Sequence, residues 1–286
     1  MPLVDALEVL PPLQLWLATI ACGALVAAAV LGAVHVTLRL LRVGPADVIA
    51  VRDSLITSLS AMFALMVAFS AAGIWNDSIS ARGAVQREAN ALENAFAMAA
   101  RFTPKLKEEV REEILEIGRR SVESDWPAME RWAGPNEALL DRSEGPVVKL
   151  ITLIADEASL APVSGSNLML AQLIELRSAR LQREMIARGG VSAAQWTAMI
   201  VIPLAALILI AVGYNHDPRL RVGMMSIYTV AVCSALFVVL AHERPFAGYL
   251  RVLPTPLVEA MRRIEKAPQS RADVPVTMPR AFARTD

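Results

Sequence analysis

Three histidines, two cysteines and a run of glutamates are the side chains of this 286-residue chain best suited to chemistry. His35 lies inside an apolar run, His216 in a short connection, and His242 at the end of another apolar run. Their surroundings form neither an HExxH metal pattern nor a glycine-rich phosphate loop. No nucleophile stands at catalytic spacing from a base, so the sequence does not read as an enzyme. Cys22 and Cys233 also fall in apolar runs, where free thiols behave as small apolar groups. No disulfide framework, Cys-based metal site or cofactor follows. In "EEVREEILE", Glu108, Glu112 and Glu116 recur at every fourth position, with Glu109 and Glu113 beside them, a pattern that could gather a cation. Lys105, Lys107, Arg111, Arg119 and Arg120 lie within helical reach and neutralise part of that charge. A solvated charged face is the preferred reading, and no metal site is assigned.

The elements around these residues are apolar to a degree that decides the protein's class. Hydrophobic residues make up 55 % of the chain and mean hydropathy is +0.45. Four stretches are long and uncharged enough to cross a bilayer: Leu13 to Leu38, Ser54 to Trp75, Val191 to Tyr214, and Val222 to Ala241. The chain therefore reads as an all-α integral membrane protein. The first apolar run lacks a basic leader and is too long for a cleaved signal, so it is kept as a span. Formal net charge is zero, which gives no reason to expect nucleic acid as a partner.

The spans pair in sequence as two hairpins, with a soluble helical region between the second and third. The divisions are 1–75, first hairpin; 76–190, helical domain with stalk extensions of the spans; 191–241, second hairpin; 242–266, membrane-boundary tail; and 267–286, a Pro-rich, polar segment that reads as disordered. From Ser78 the chain is Ala-rich and free of proline until Pro104, so the second span should continue as helix beyond the bilayer. Pro104 suits the first turn of a new helix, and Leu106, Val110, Ile114 and Ile117 give that helix an apolar stripe. Gly134-Pro135 and Gly145-Pro146 punctuate a loop. Helices are then expected over Val147 to Leu160 and Asn167 to Arg188.

Within the second span, Ser60, Ala64, Ala68 and Ala72 form a small-residue stripe suited to close helix contact. Beside it, Leu59, Phe63, Val67, Ser70 and Ile74 form a second stripe. In a symmetric oligomer that stripe could narrow a pore, whereas in isolation it could serve packing and lipid contact. Asp77, Arg82, Glu88, Glu243 and Arg244 read as membrane-boundary ions, forming exchange pairs or snorkelling separately. Beyond the last span, Pro245 blocks the helix, Phe246 anchors, and Gly248 permits a turn. Pro254 and Pro256 are expected to hold the next segment extended. The tail would then bring Glu243 and Arg244 against the helical domain.

"RPFAG" with the following "VLPTPL" resembles the C-terminal signature of the bestrophin-like family of bacterial membrane proteins. "FALMVAFSAAGIW", "RGAVQREANALENAF" and "VESDWP" agree in order and spacing. The resemblance implies kinship to bestrophins, pentameric anion channels with four spans per subunit and a cytosolic helical domain. It also implies a neck of bulky apolar residues on the second span, whose nearest counterparts here are Leu59, Phe63 and Val67. Bestrophins carry an acidic calcium clasp after the last span; this tail has no acidic run, which speaks against calcium gating.

Together these features suggest a homo-oligomeric ion channel of the bacterial inner membrane, conducting anions, with membrane lipid around it and the second span lining the pore. The alternative is a non-conducting scaffold or sensor whose helical domain binds a protein. A proton-conducting, stator-like assembly would need an ionisable group within a span, for which His35 is the candidate.

Flanking charge leaves orientation nearly balanced. The short connections carry five Arg, the central region fifteen Lys and Arg, the tail eight, and the N-terminus none. Parity of four spans puts the N-terminus, helical domain and tail on one side, and the resemblance makes that side cytoplasmic. A cytosolic reporter fused after Ala267 should accordingly be active and one inserted within 215–221 inactive. The reverse pattern would place the helical domain outside.

Overall fold

The computed structural model describes residues 12–41, 49–131, 137–160, 166–214, 217–247 and 250–267. Gly248, His216 and the Pro-rich segment beyond Ala267 lie outside them. Regular structure among the described residues is entirely helical: α1 Pro12–Leu41, α2 Ile49–Ala99, α3 Pro104–Arg120, α4 Trp126–Glu130, α5 Glu137–Leu160, α6 Ser166–Ala187, α7 Ala193–Gly213, α8 Pro218–His242 and α9 Thr255–Lys266. A π-helical turn, Ser121–Asp125, joins α3 to α4. Four helices, α1, α2, α7 and α8, are long and apolar enough to cross a membrane. In α2, 51 residues run without a proline, so no position forfeits its backbone donor and the helix continues well past its apolar part.

The chain divides into two compact units. One comprises Met1–Gly83, Ala128–Pro135 and Gln182–Leu253, and the other Ala84–Pro127, Asn136–Leu181 and Pro254–Asp286. In the first unit, which carries the apolar parts of all four spans, α1 packs most extensively against α8, and α7 packs against both. The first span thus packs extensively on the fourth and third. A small residue makes this possible. A Cβ on Gly23 would collide with Cys233 Sγ and come within 3.0 Å of Thr229 Cγ2, so only glycine allows the helices this close. Trp16 Nε1 donates to Ser234 Oγ at 3.3 Å along the same seam. Val34, Leu207, Ile210, Ala211 and Met225 form one apolar cluster, and Phe63, Ile74, Met199 and Val239 another. Two helix starts in this unit are capped by side chains. Ser192 and Gln195 form a reciprocal capping box on α7, while Asp217 accepts from Arg219 N and Leu220 N on α8.

In the second unit the Ala-rich end of α2 buries Ala84, Ala89, Leu92, Ala95 and Ala99. Thr103 caps α3, accepting from Leu106 N at 3.4 Å, and Pro104 occupies the first turn. Leu106, Val110, Ile114 and Ile117 are buried, as their helical spacing requires. Two expectations fail here. Residues 137–145, read as part of a loop, belong to α5, which passes through Pro146. Proline removes one ladder donor, but Pro146 is itself buried and leads into the buried Val147, Leu150 and Ile154, so packing prevails over local propensity. Pro254 and Pro256 do not hold an extended segment either: Thr255–Lys266 is helical with proline in its first turn, where the missing N–H costs nothing. Leu257, Ala260 and Ile264 bury the inner face of α9, which packs against α3. Burial of a leucine or isoleucine is worth about 1.5–3 kcal/mol. Arg111 Nη2 donates to the Glu265 carbonyl at 2.7 Å, and Arg263 Nη1 to Glu93 at 3.0 Å.

Gly118 lies beneath α9, where an added Cβ would stand 2.5 Å from Met261 Sδ. Gly118→Val should therefore overpack this contact at a cost of about 1–3 kcal/mol. Limited proteolysis should then release the tail faster than in the wild type; unchanged protection would show that α9 is held elsewhere.

Candidate functional site

The two sides of α2 differ sharply within the membrane unit. Phe63, Ser70 and Ile74 are 8 %, 3 % and 5 % exposed, and Val67 is half-buried against the same cluster. Met199 of α7 and Val239 of α8 share that cluster. Leu59 is half-buried. The stripe expected to narrow a pore is thus largely covered by the subunit's own spans. About half a helical turn away, Ser58, Ala61, Met62, Leu65, Ala68, Phe69, Ala72 and Asn76 are uncovered. Leu65 and Phe69 are 58 % and 67 % exposed. The small-residue stripe lies on or beside this side: Ala64, Ala68 and Ala72 are exposed and Ser60 half-buried. Exposure was not recoverable from spacing, because both stripes of a membrane helix are apolar.

A second polar constellation lies in the helical unit. Glu88 is fully buried, unlike the boundary ion expected from sequence, because α2 carries it into this core. It accepts from Ser121 Oγ at 2.8 Å. Arg180 of α6 approaches Glu88 at 3.8 Å through Nε and donates to Asp125 Oδ2 at 2.8 Å through Nη2. Ser121 and Asp125 are the two ends of the π-helical turn. One arginine therefore joins three elements through two carboxylates, all more than nine-tenths buried. The acidic face of α3 is different in kind. Glu116 pairs with Arg119 and Arg120 at 3.0 and 2.7 Å, Glu108 with Arg111 at 3.3 Å, and Glu113 with Lys149. The Arg120 hydrogen bond holds the Glu116 carboxyl below its ordinary range, and Glu113 raises Lys149. The Glu116 and Lys149 pairs are solvated at the surface, whereas Arg111 is itself buried.

At the end of the last span, Glu243 accepts from Trp196 Nε1 at 3.0 Å and Val191 N at 3.3 Å. The tie thus reaches the start of α7, within the same unit. Gly190 has φ of +152°, and a Cβ there would stand 3.4 Å from Glu243 Oε1. Pro245 and Phe246 are buried, and Val252 N donates to the Pro245 carbonyl at 2.7 Å. Arg244 and Asp77 are half-buried and Arg82 is exposed. Sequence reasoning missed Ser121, Asp125, Arg180 and Trp196. An arginine on a polar helix and a tryptophan at a span's start are common, and only the fold brings them to Glu88 and Glu243.

Four helices long and apolar enough to cross a membrane, within an all-helical fold, define the class as a helical membrane protein. A profile of the Bestrophin-like domain matches residues 23–257, and the chain belongs to that family. Among solved structures, a bacterial bestrophin homolog from Klebsiella pneumoniae is similar in fold at 13 % identity, with a TM-score of 0.60 over 87 % of this chain and 95 % of that one. A mutant of that homolog matches at 13 % identity and a TM-score of 0.61, over 87 % of this chain and 99 % of the other. Comparison with curated proteins gives no significant match.

Arg180→Ala should destabilise the protein by about 3–5 kcal/mol, because both carboxylates lose a buried partner. Arg82→Ala, on an exposed side chain, should stay within roughly 0.5 kcal/mol. Equal thermal midpoints for the two variants in detergent would remove the cluster's structural role.

Proposed function

We propose that the chain is a subunit of a homo-oligomeric membrane channel that conducts anions, with the uncovered side of α2 facing the axis. Family membership supports the channel reading, and the resemblance to pentameric bestrophins favours five copies. The observation that carries the assignment of the lining is the contrast between Phe69, two-thirds exposed, and Phe63, packed against Met199 and Val239. On this reading Leu65 and Phe69, rather than Leu59, Phe63 and Val67, are the bulky groups that would narrow the passage. An apolar constriction of this kind gates by excluding water. An aromatic ring presents a positive edge, so Phe69 turned edge-on favours an anion over a cation. Ala64, Ala68 and Ala72 let neighbouring copies approach closely. The N-terminus, helical unit and tail then lie in the cytoplasm, beneath the inner membrane.

Phe69→Ala should raise chloride flux from reconstituted vesicles with no change in oligomer size. Phe63→Ala should instead open a cavity within the subunit, costing about 3–5 kcal/mol, and leave flux per assembled channel unchanged. Absence of flux from well-assembled wild type and Phe69→Ala alike would favour a scaffold. An increase confined to Phe63→Ala would restore the stripe read from spacing.

A further inference from the structure

The uncovered side of α2 does not end with its apolar part. Helical periodicity carries the side of Phe69 through Asn76 to Arg87, Asn90 and Asn94, all of them exposed. Charge is sorted across this stretch of the helix. Its carboxylates are withdrawn: Asp77 is half-buried, Glu88 is fully buried against Ser121 and Arg180, and the half-buried Glu93 pairs with Arg263 at 3.0 Å. From Asn76 to Asn94, α2 exposes two arginines and four amides, and among the described residues no carboxylate of this stretch joins them. The amides are linked in a fixed sense. Gln86 Nε2 donates to Asn90 Oδ1 at 2.9 Å, one turn along the helix, and Asn94 Nδ2 donates to Gln172 Oε1 of α6 at 3.1 Å. A carboxamide carries two N–H donors and one oxygen, so Asn90, with its oxygen engaged by Gln86, offers mainly donors to what lies beyond it.

We propose that Arg87 and Asn90 form a binding collar for small inorganic anions on the α2 extension, each copy of the chain contributing one set around the axis. The inference rests on the channel reading above and adds a second station to it, chemically unlike the first. Leu65 and Phe69 narrow an apolar passage, whereas the collar gathers anions from water before or after that passage. The two side chains divide the work. Arg87 supplies positive charge, and a ring of such charges raises the local anion concentration and repels cations. Asn90 supplies short-range N–H donors that replace part of an anion's hydration shell. A neutral amide does this without the full attraction of a second charge, so the anion is held and also released. Withdrawal of Asp77, Glu88 and Glu93 from the exposed side keeps this field from being cancelled on the same helix.

The test records currents from the full chain in planar bilayers under a potassium chloride gradient, with assembly checked by size-exclusion chromatography. Asn90→Asp keeps the side-chain shape and an oxygen to accept from Gln86, yet places one negative charge per copy on the collar. It should lower chloride conductance about tenfold at low salt and move the reversal potential toward that of potassium, both effects shrinking as salt rises. Asn90→Lys should instead raise chloride conductance at low salt, an opposite shift that a folding fault cannot produce. Lys105→Gln makes the same one-unit change of charge on an exposed side chain of α3 and should leave both readings as in wild type. Chloride current that is alike in wild type and Asn90→Asp, or that Lys105→Gln shifts equally, would overturn the collar and leave the channel standing. No current from well-assembled wild type would overturn the channel reading and the collar with it.

Discussion

The uninterrupted hydrogen-bond ladder of α2 is the constraint on which the rest of the structure depends. A backbone crossing hydrocarbon must satisfy its own polar groups, and helix is the way a single segment does so. The ladder holds from Ile49 to Ala99, a length of about 75 Å at 1.5 Å per residue. Along it the side chains change from Leu, Phe and Ala to Arg, Glu and Asn while the backbone remains helical. One helix thereby contributes Phe63 and Ile74 to an apolar cluster of the membrane unit, and Glu88 and Leu92 to the core of the helical unit. A proline anywhere in its interior would disturb both roles.

The two units are held by different chemistry. In the membrane unit, close packing at Gly23 and two apolar clusters are supplemented by polar ties such as Trp16 to Ser234 and Trp196 to Glu243. A hydrogen bond of this kind contributes about 0.5–1.5 kcal/mol net. In the helical unit, Arg180 is held between the carboxylates of Glu88 and Asp125, so loss of one partner weakens the compensation of a buried charge. The helical unit therefore resists local rearrangement by desolvation. The membrane unit can adjust by repacking apolar side chains at lower cost, as long as the polar ties at its ends persist.

Length and polarity made the spans legible, because a helix-long uncharged segment has few alternatives. Continuation of α2, the start of α3 at Pro104 and the buried stripe from Leu106 to Ile117 followed from proline positions and helical spacing. Proline also misled. Pro146 was read as punctuating a loop and Pro256 as holding an extended segment, whereas burial at the first and first-turn position at the second accommodate both in helices. The face of α2 that is covered was not legible. Hydropathy separates apolar from polar residues, but both sides of this span are apolar, and only the placement of Met199 and Val239 distinguishes them. The ionic cluster was half legible: Glu88 was singled out as an ion needing a partner, but Ser121, Asp125 and Arg180 lie 33 to 92 residues further along the chain.

The uncovered side of α2 poses a packing problem that its composition helps to resolve. Only 11 % of the apolar window of α1 or α2 is buried within the subunit, against 33 % for α7. Lipid tails solvate apolar side chains as well as leucine does, so exposure in a bilayer carries no penalty by itself. Alanine on a lipid-facing surface would bring little dispersion contact, yet Ala61, Ala64, Ala68 and Ala72 crowd this side. Small residues gain most where another helix comes close enough to contact the backbone. That places the benefit of the alanines at a helix–helix contact, with Leu65 and Phe69 projecting past them. Met62, Leu65 and Phe69 project from the same side, 58 %, 58 % and 67 % exposed. On the channel proposed above, the alanines would set the spacing between neighbours and these bulky groups the bore.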